Sequence, residues 1–197
     1  MDIISNTQKI EELLGELPPG SQAKMRHVLE RLFRLPRTGW KDRKIKSPET
    51  VGEHTYAMYL IANEHFQGLG PMIVIHDAAE SDPTVGDIRT DNLCPQERRW
   101  TKENKRIAET RAMIDICTDM GQGGKTIFYL FYEYERQESW RAKIVKQIDR
   151  LQVIMKATEY ELSGELVEAT EFDASLIREP VLVQILKKTL KELEKAH

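Results

Sequence analysis

The chain has 197 residues, of which 40% are hydrophobic and 31% charged, and a net charge of −3. That length and composition suit one globular domain with a sizeable core and exclude a collagenous or broadly disordered chain. They also exclude a global basic field for polymeric nucleic acid, and no apolar run is long enough to span a bilayer. The N-terminal MDIISNTQKIEELL lacks the basic region and long apolar core of a signal peptide. The two cysteines, Cys94 and Cys117, lack metal-type spacing and are read as reduced thiols of a cytoplasmic protein.

In chain order, residues 7–16 form a short amphipathic helix that LPPG at 17–20 ends. Residues 21–35 carry Met25, Val28, Leu29, Leu32 and Leu35 at three- and four-residue spacing, the single apolar stripe of a second helix. The basic connector RLPRTGWKDRKIKSPET holds Pro36, Gly39 and Pro48 and cannot be one regular helix. Residues 51–66 read as a third helix, and Pro71 opens a short, very apolar one over 72–80. SDPTVGDIRTDNLCP is a loop with a turn at Pro83 and Gly86. A charged helix follows over 96–119, stopped by GQGG, then helices over 125–136 and 139–161. A looser acidic stretch, 162–179, leads to a last helix from Pro180. No strand alternation or repeat is evident, so the expected class is all-α, a single helical domain over 1–197, with its motif-bearing part at about 30–161 and a terminal helix over 180–195 packed on it.

Several ionisable residues fall where this pattern places the core. Val51, His54, Met58 and Ile61 share one helix face, so His54 points inward, as a hydrogen-bonded core histidine or as a ligand. Val145, Asp149 and Val153 are four apart, which puts Asp149 in or beside the apolar stripe of the 139–161 helix. A carboxylate there needs a partner, either an arginine (Arg141 or Arg150) or a divalent cation. His76 and Asp77 end the apolar run IVI; adjacent side chains diverge by about 100° in a regular helix but can converge at a helix end. Two imidazoles and two carboxylates would make a mixed nitrogen and oxygen site for Mn, Fe, Co, Ni or Zn. His27 reads as a surface residue, His65 as a helix-end one and His197 as terminal, while Trp100 and Trp140 read as packing; GQGGK lacks the P-loop pattern. The acidic residues of 159–173 follow the Asp149 helix directly, as a solvated run or as a rim to the site.

GEHTYAM, IHDAAE, GDIRTDN and KQIDRLQVIMKATEYE, ordered as H…HD…D, resemble the HD-domain metal-dependent phosphohydrolases, and among them the small 5'-deoxynucleotidase branch. The resemblance implies a helical bundle with His54, His76, Asp77 and Asp149 as ligands of a divalent transition metal. It implies catalytic roles for Glu80 and Asp87, and places Arg37 and Trp40 of PRTGW against the phosphate and deoxyribose of a deoxynucleotide substrate. The implied reaction is removal of the 5'-phosphate of deoxynucleoside monophosphates by a metal-activated water. A deoxynucleoside triphosphate hydrolase and a non-catalytic nucleotide-binding module are the alternatives. A homo-oligomer is implied in the same way. The chain departs from the family pattern in two places: SDPTV is a longer spacer between Glu80 and Gly86-Asp87, and Gly39 stands where some members carry the arginine before the tryptophan. Without that role Glu80 is an exposed helix-end residue, Asp87 a loop cap, the basic connector a solvated loop and Trp40 a core anchor.

Overall fold

The computed structural model describes residues 5–88 and 100–196. Arg89–Asn92 of the GDIRTDN motif, Cys94, the expected helix start at 96 and His197 lie outside the described residues. Within them the fold is all-α, with one isolated antiparallel bridge, Pro36 to Thr50. No helix among the described residues is long and apolar enough to cross a membrane.

Helix α1 (Asn6–Gly15) begins in a capping box, with Ser5 and Gln8 each bonding the other's backbone N–H. Helix α2 (Gln22–Leu32) buries Met25, Val28, Leu29 and Leu32, the stripe expected from its spacing. The chain then runs antiparallel to itself. Val51 N–H donates to the Leu35 carbonyl at 2.8 Å and Arg37 N–H to that of Glu49 at 2.9 Å. The basic connector is therefore a closed loop, with a short helix α3 (Thr38–Asp42) inside it, rather than an open linker. Closing the loop sets Arg37 and Trp40 beside the start of α4 (Val51–His65), whose first turn is held by a Thr50–Glu53 capping box.

Helix α5 (Gly70–Ile75) is short, and Met72 to Ile75 are all buried. The continuous helix expected over 72–80 is broken: α5 ends at Ile75, and a 3₁₀ turn covers Ala78–Ser81. Asp77, at φ −109° and ψ 14°, occupies the sparsely populated bridge region between them. Beyond the loop come α6 (Lys102–Cys117), α7 (Gly121–Arg136), α8 (Trp140–Leu162), a 3₁₀ turn (Ala169–Glu171) and α9 (Pro180–Ala196). Helices α4, α5, α7 and α8 pack on one another around the main core, and α9 covers α8. A smaller cluster of Trp40, Ile45, Tyr160, Val167 and Leu193 ties the connector to the C-terminal segments.

GQGG does not lie outside the helices as expected; it forms the first turn of α7. The α6–α7 turn leaves no room for a side chain at position 124, since a Cβ on Gly124 would lie 2.3 Å from the Cys117 carbonyl oxygen. Cys117 itself is half-buried, and burial pushes its thiol up to about 11, which keeps it protonated.

Gly52 fixes how closely α4 approaches the end of α2. A Cβ there would meet Phe33 Cγ at 2.6 Å and the Phe33 backbone nitrogen at 2.7 Å. Gly52→Ala is expected to lower unfolding free energy by about 1–3 kcal/mol, measured by urea denaturation; unchanged stability would show that this approach is looser than described.

Candidate metal centre and substrate cleft

Three helical segments bring their ionisable residues to one buried place. His54 comes from the first turn of α4, His76 from the residue that ends α5, and Asp149 from the middle of α8. One donor atom from each lies within 4.8 Å of the others. Both histidines are buried, with ring centroids 5.6 Å apart. The Nδ1 atoms are engaged: that of His76 bonds the Ile73 carbonyl at 2.7 Å, and that of His54 bonds Gln152 Oε1. A carbonyl only accepts, so each Nδ1 carries the proton and each Nε2 keeps its lone pair.

Those two Nε2 atoms are buried and have no hydrogen-bond partner among the described residues. His54 Nε2 lies 3.3 Å from Asp149 Oδ1, and His76 Nε2 lies 3.0 Å from Asp77 Oδ2, ion-pair distances without the alignment of a hydrogen bond. Orphaned buried nitrogens are costly unless something fills the space between them. The donor set, two imidazole nitrogens with carboxylate oxygen, fits a divalent transition cation. The carboxylates make this a place that attracts positive charge: burial opposes a charge on His76, yet Asp77 and Asp149 raise its pKa. Asp149 is held well below the usual carboxylate range against the cost of its burial, by Lys146 and His54. The break after Ile75 sets Asp77 against His76 at 3.0 Å, but Asp77 is not among the three residues whose donor atoms converge, which are His54, His76 and Asp149.

The cation beside Asp149 is not one of the two arginines considered from the sequence. Lys146, one turn earlier on α8, reaches Asp149 Oδ2 at 2.7 Å, whereas Arg141 pairs with Glu133. Lys146 also donates to the Tyr134 hydroxyl at 3.3 Å, and the Tyr134 ring meets that of His76 edge-on.

A cleft of about 390 Å³ opens over Asp149. Its walls include Arg37, Trp40, Arg43, Asp87, Lys146 and Phe172. Arg37 keeps its charge: burial opposes it, but Asp149, Asp77, Asp87 and Glu49 raise the guanidinium above its ordinary value. Its Nη1 is buried with no hydrogen-bond partner among the described residues. Trp40 combines both readings, packing against Tyr160 and Phe172 in the smaller core while also lining the cleft. The acidic stretch does rim the site, through Glu171, Phe172 and Asp173. Arg43 holds that rim, 3.5 Å from Glu171 and over the Phe172 ring.

Glu80 is buried, not an exposed helix end. Burial, then Asp77 and Asp87, push its carboxyl well above the usual range; Lys105 and Arg37 oppose this. Lys105 of α6 stands 3.4 Å from Glu80 and the same distance from Glu109. Asp87 binds the backbone N–H of Thr38, and its own carbonyl accepts from the Thr38 hydroxyl. It therefore anchors the connector, while the tautomers of the two imidazoles are set by Gln152 and the Ile73 carbonyl rather than by Asp87. Lys146, Lys105, Gln152 and Glu49 were not anticipated as parts of the site. Of these only Gln152 left a trace in the sequence, as an amide one turn after Asp149 beside the apolar stripe of α8, where a buried polar group needs a partner.

The chain matches the HD domain over residues 29–188. It is 37% identical over 157 residues to the 5'-deoxynucleotidase HDDC2 of Danio rerio, covering 75% of this chain and 74% of that one. It is 30% identical over 169 residues to HDDC2 of Homo sapiens, covering 81% and 79%. Among solved structures, a conserved hypothetical protein from Pyrococcus furiosus superposes with a TM-score of 0.63 at 26% identity, covering 85% of this chain and 98% of that one. The matched span contains every residue of the centre and of the Arg37–Trp40 loop, and the chain belongs to the HD-domain family.

Proposed function

We propose that the protein is a metal-dependent 5'-deoxynucleotidase that removes the phosphate of deoxynucleoside monophosphates. The observation that carries this reading is the pair of Nε2 atoms, unpartnered among the described residues, converging with Asp149 beneath a cleft that Asp149 and Arg37 line. Similarity to relatives named 5'-deoxynucleotidase, in animals and in fission yeast, supports the substrate class.

In this reading His54, His76, Asp77 and Asp149 hold a divalent cation, with Mn, Co, Fe, Ni and Zn as candidates. When bound, such a cation supplies an acidified water and polarises a phosphoryl oxygen. The chain's own residues do the rest. Arg37, charged and already desolvated, offers its fork to the phosphate oxygens. Lys146 keeps Asp149 ionised, and Asp87 fixes the loop that carries Arg37. Glu80, which burial and its anionic neighbours favour in the protonated form, gives its proton to the departing 5'-oxygen. The indole of Trp40 has its N–H committed to Glu49, so its face offers no polar partner to a ribose 2'-hydroxyl.

A screen of mono- and triphosphates of ribose and deoxyribose, each with Mn²⁺, Co²⁺, Mg²⁺ or Zn²⁺, tests the assignment. Free phosphate from deoxynucleoside monophosphates is expected, with a preference over ribonucleotides on the order of 10²-fold. Release of triphosphate from dATP with no turnover of dAMP contradicts it. Glu80→Gln tests the proton donor: kcat is expected to fall about 10²–10⁴-fold with metal still bound, and an unchanged kcat removes Glu80 from the reaction.

A further inference from the structure

A buried chain of hydrogen bonds runs from the cleft wall to the first of the two histidines. Trp40 Nε1 donates to Glu49 Oε2 at 3.3 Å. Gln152 Nε2 donates to Glu49 Oε1 at 2.6 Å. The other end of the same amide, Oε1, meets His54 Nδ1. Trp40, Glu49, Gln152 and His54 are all buried, so none of these groups exchanges its partner for bulk water. The Glu49 backbone is pinned as well: its N–H donates to the Tyr160 hydroxyl at 2.7 Å, which donates in turn to the Ser47 carbonyl.

With Glu49 as a carboxylate, its contacts set the direction of every bond in this chain. An indole N–H only donates and an ionised carboxylate only accepts. Glu49 therefore takes the indole proton on one oxygen and demands an N–H on the other. That demand turns the Gln152 amide so that Nε2 faces Glu49 and Oε1 faces His54. An amide oxygen only accepts, so His54 must carry its proton on Nδ1. Its Nε2 is then the lone-pair nitrogen, and that is the buried atom left without a hydrogen-bond partner among the described residues.

We propose that Gln152 and Glu49 are positioning residues for the metal centre: the polarity set by Trp40 and Glu49 orients the Gln152 amide, which locks His54 in the tautomer that presents Nε2 as a ligand. The inference rests on the reading of His54 as a metal ligand. Its consequence is that the cleft wall and the metal centre share one hydrogen-bond chain. A disturbance at the Trp40 indole is transmitted to the tautomer and orientation of His54 through Glu49 and Gln152.

The test uses the full chain, stripped of metal and titrated with Co²⁺ by calorimetry. Long-range ¹H–¹⁵N NMR of the His54 ring is recorded on the metal-free protein. Gln152→Leu removes the acceptor and is expected to weaken Co²⁺ binding about 10–100-fold and to give a mixed His54 tautomer. Gln152→Glu alone sets two carboxylates side by side and is also expected to weaken binding. Adding Glu49→Gln to it reverses the middle of the chain with every bond satisfied. The new Gln side chain donates to the new carboxylate, its oxygen still accepts from Trp40, and the carboxylate still accepts from His54. This double exchange is expected to restore affinity to within about threefold of the parent and to return the Nδ1–H tautomer. A substitution that merely disturbed packing would not be rescued by the exchange, which also provides a folded test if Gln152→Leu proves unstable. Parent-like affinity in Gln152→Leu, or a double exchange no better than Gln152→Glu alone, overturns the proposal and leaves the metal assignment standing. A parent protein that binds no Co²⁺ overturns both.

Discussion

The arrangement of this protein depends on two buried imidazole nitrogens that have no hydrogen-bond partner among the described residues. Nε2 of His54 and Nε2 of His76 each sit beside a carboxylate oxygen without hydrogen-bond alignment, in a core where polar groups are ordinarily satisfied. A fold tolerates such groups when the space between them is meant for something else. Much of the surrounding structure serves to hold them there. The short α5 is anchored by four consecutive buried residues, so the end of that helix is fixed in position. The break that follows swings Asp77 beside His76 instead of a hundred degrees away. Helices α4 and α8 pack on each other and on α5, bringing His54 and Asp149 to the same point.

The charges around the centre are graded in a way that separates binding from proton handling. Asp77 and Asp149 are both driven below their ordinary range, Asp77 by the imidazoles of His76 and His54 and Asp149 by Lys146 and His54. Glu80, a turn further along, is driven the opposite way by burial, by Asp77 and by Asp87. Three carboxyl groups in one small volume thus take two different states. Two suit a cation and one suits donating a proton, the separation expected where acid and electrostatic roles coexist. The connector adds a positive edge through Arg37 and Arg43, and it is held shut by the Pro36–Thr50 bridge and the Thr38–Asp87 contacts.

Much of the helical framework was legible because amphipathic spacing and helix-start residues are local signals. The stripe of α2 and the helical start at Pro180 can be read from neighbouring residues. So can the inward face of His54 and the placement of Asp149 beside the α8 stripe. What could not be read depended on distance in the chain. GQGG looks like a helix stop, yet it opens α7 because α6 and α7 approach closely enough to require glycine at position 124. Lys146, rather than an arginine, neutralises Asp149, since only the folded geometry shows which cation's stem reaches that oxygen. The Glu49–Gln152 contact spans two segments a hundred residues apart, and no pattern within either announces it. Trp40 shows the limit of choosing between roles, because one side chain closes a small core and walls the cleft at once.

The most direct measurement of the central claim is the NMR spectrum of the Co²⁺-loaded protein in water. If Nε2 of both histidines binds the ion, the Nδ1 protons of His54 and His76 are held by Gln152 and the Ile73 carbonyl and protected from exchange. Two strongly shifted, exchangeable imidazole resonances are predicted, one lost in His54→Asn and the other in His76→Asn. A spectrum with no shifted imidazole protons, from protein shown to contain cobalt, would place the ion elsewhere and contradict the account.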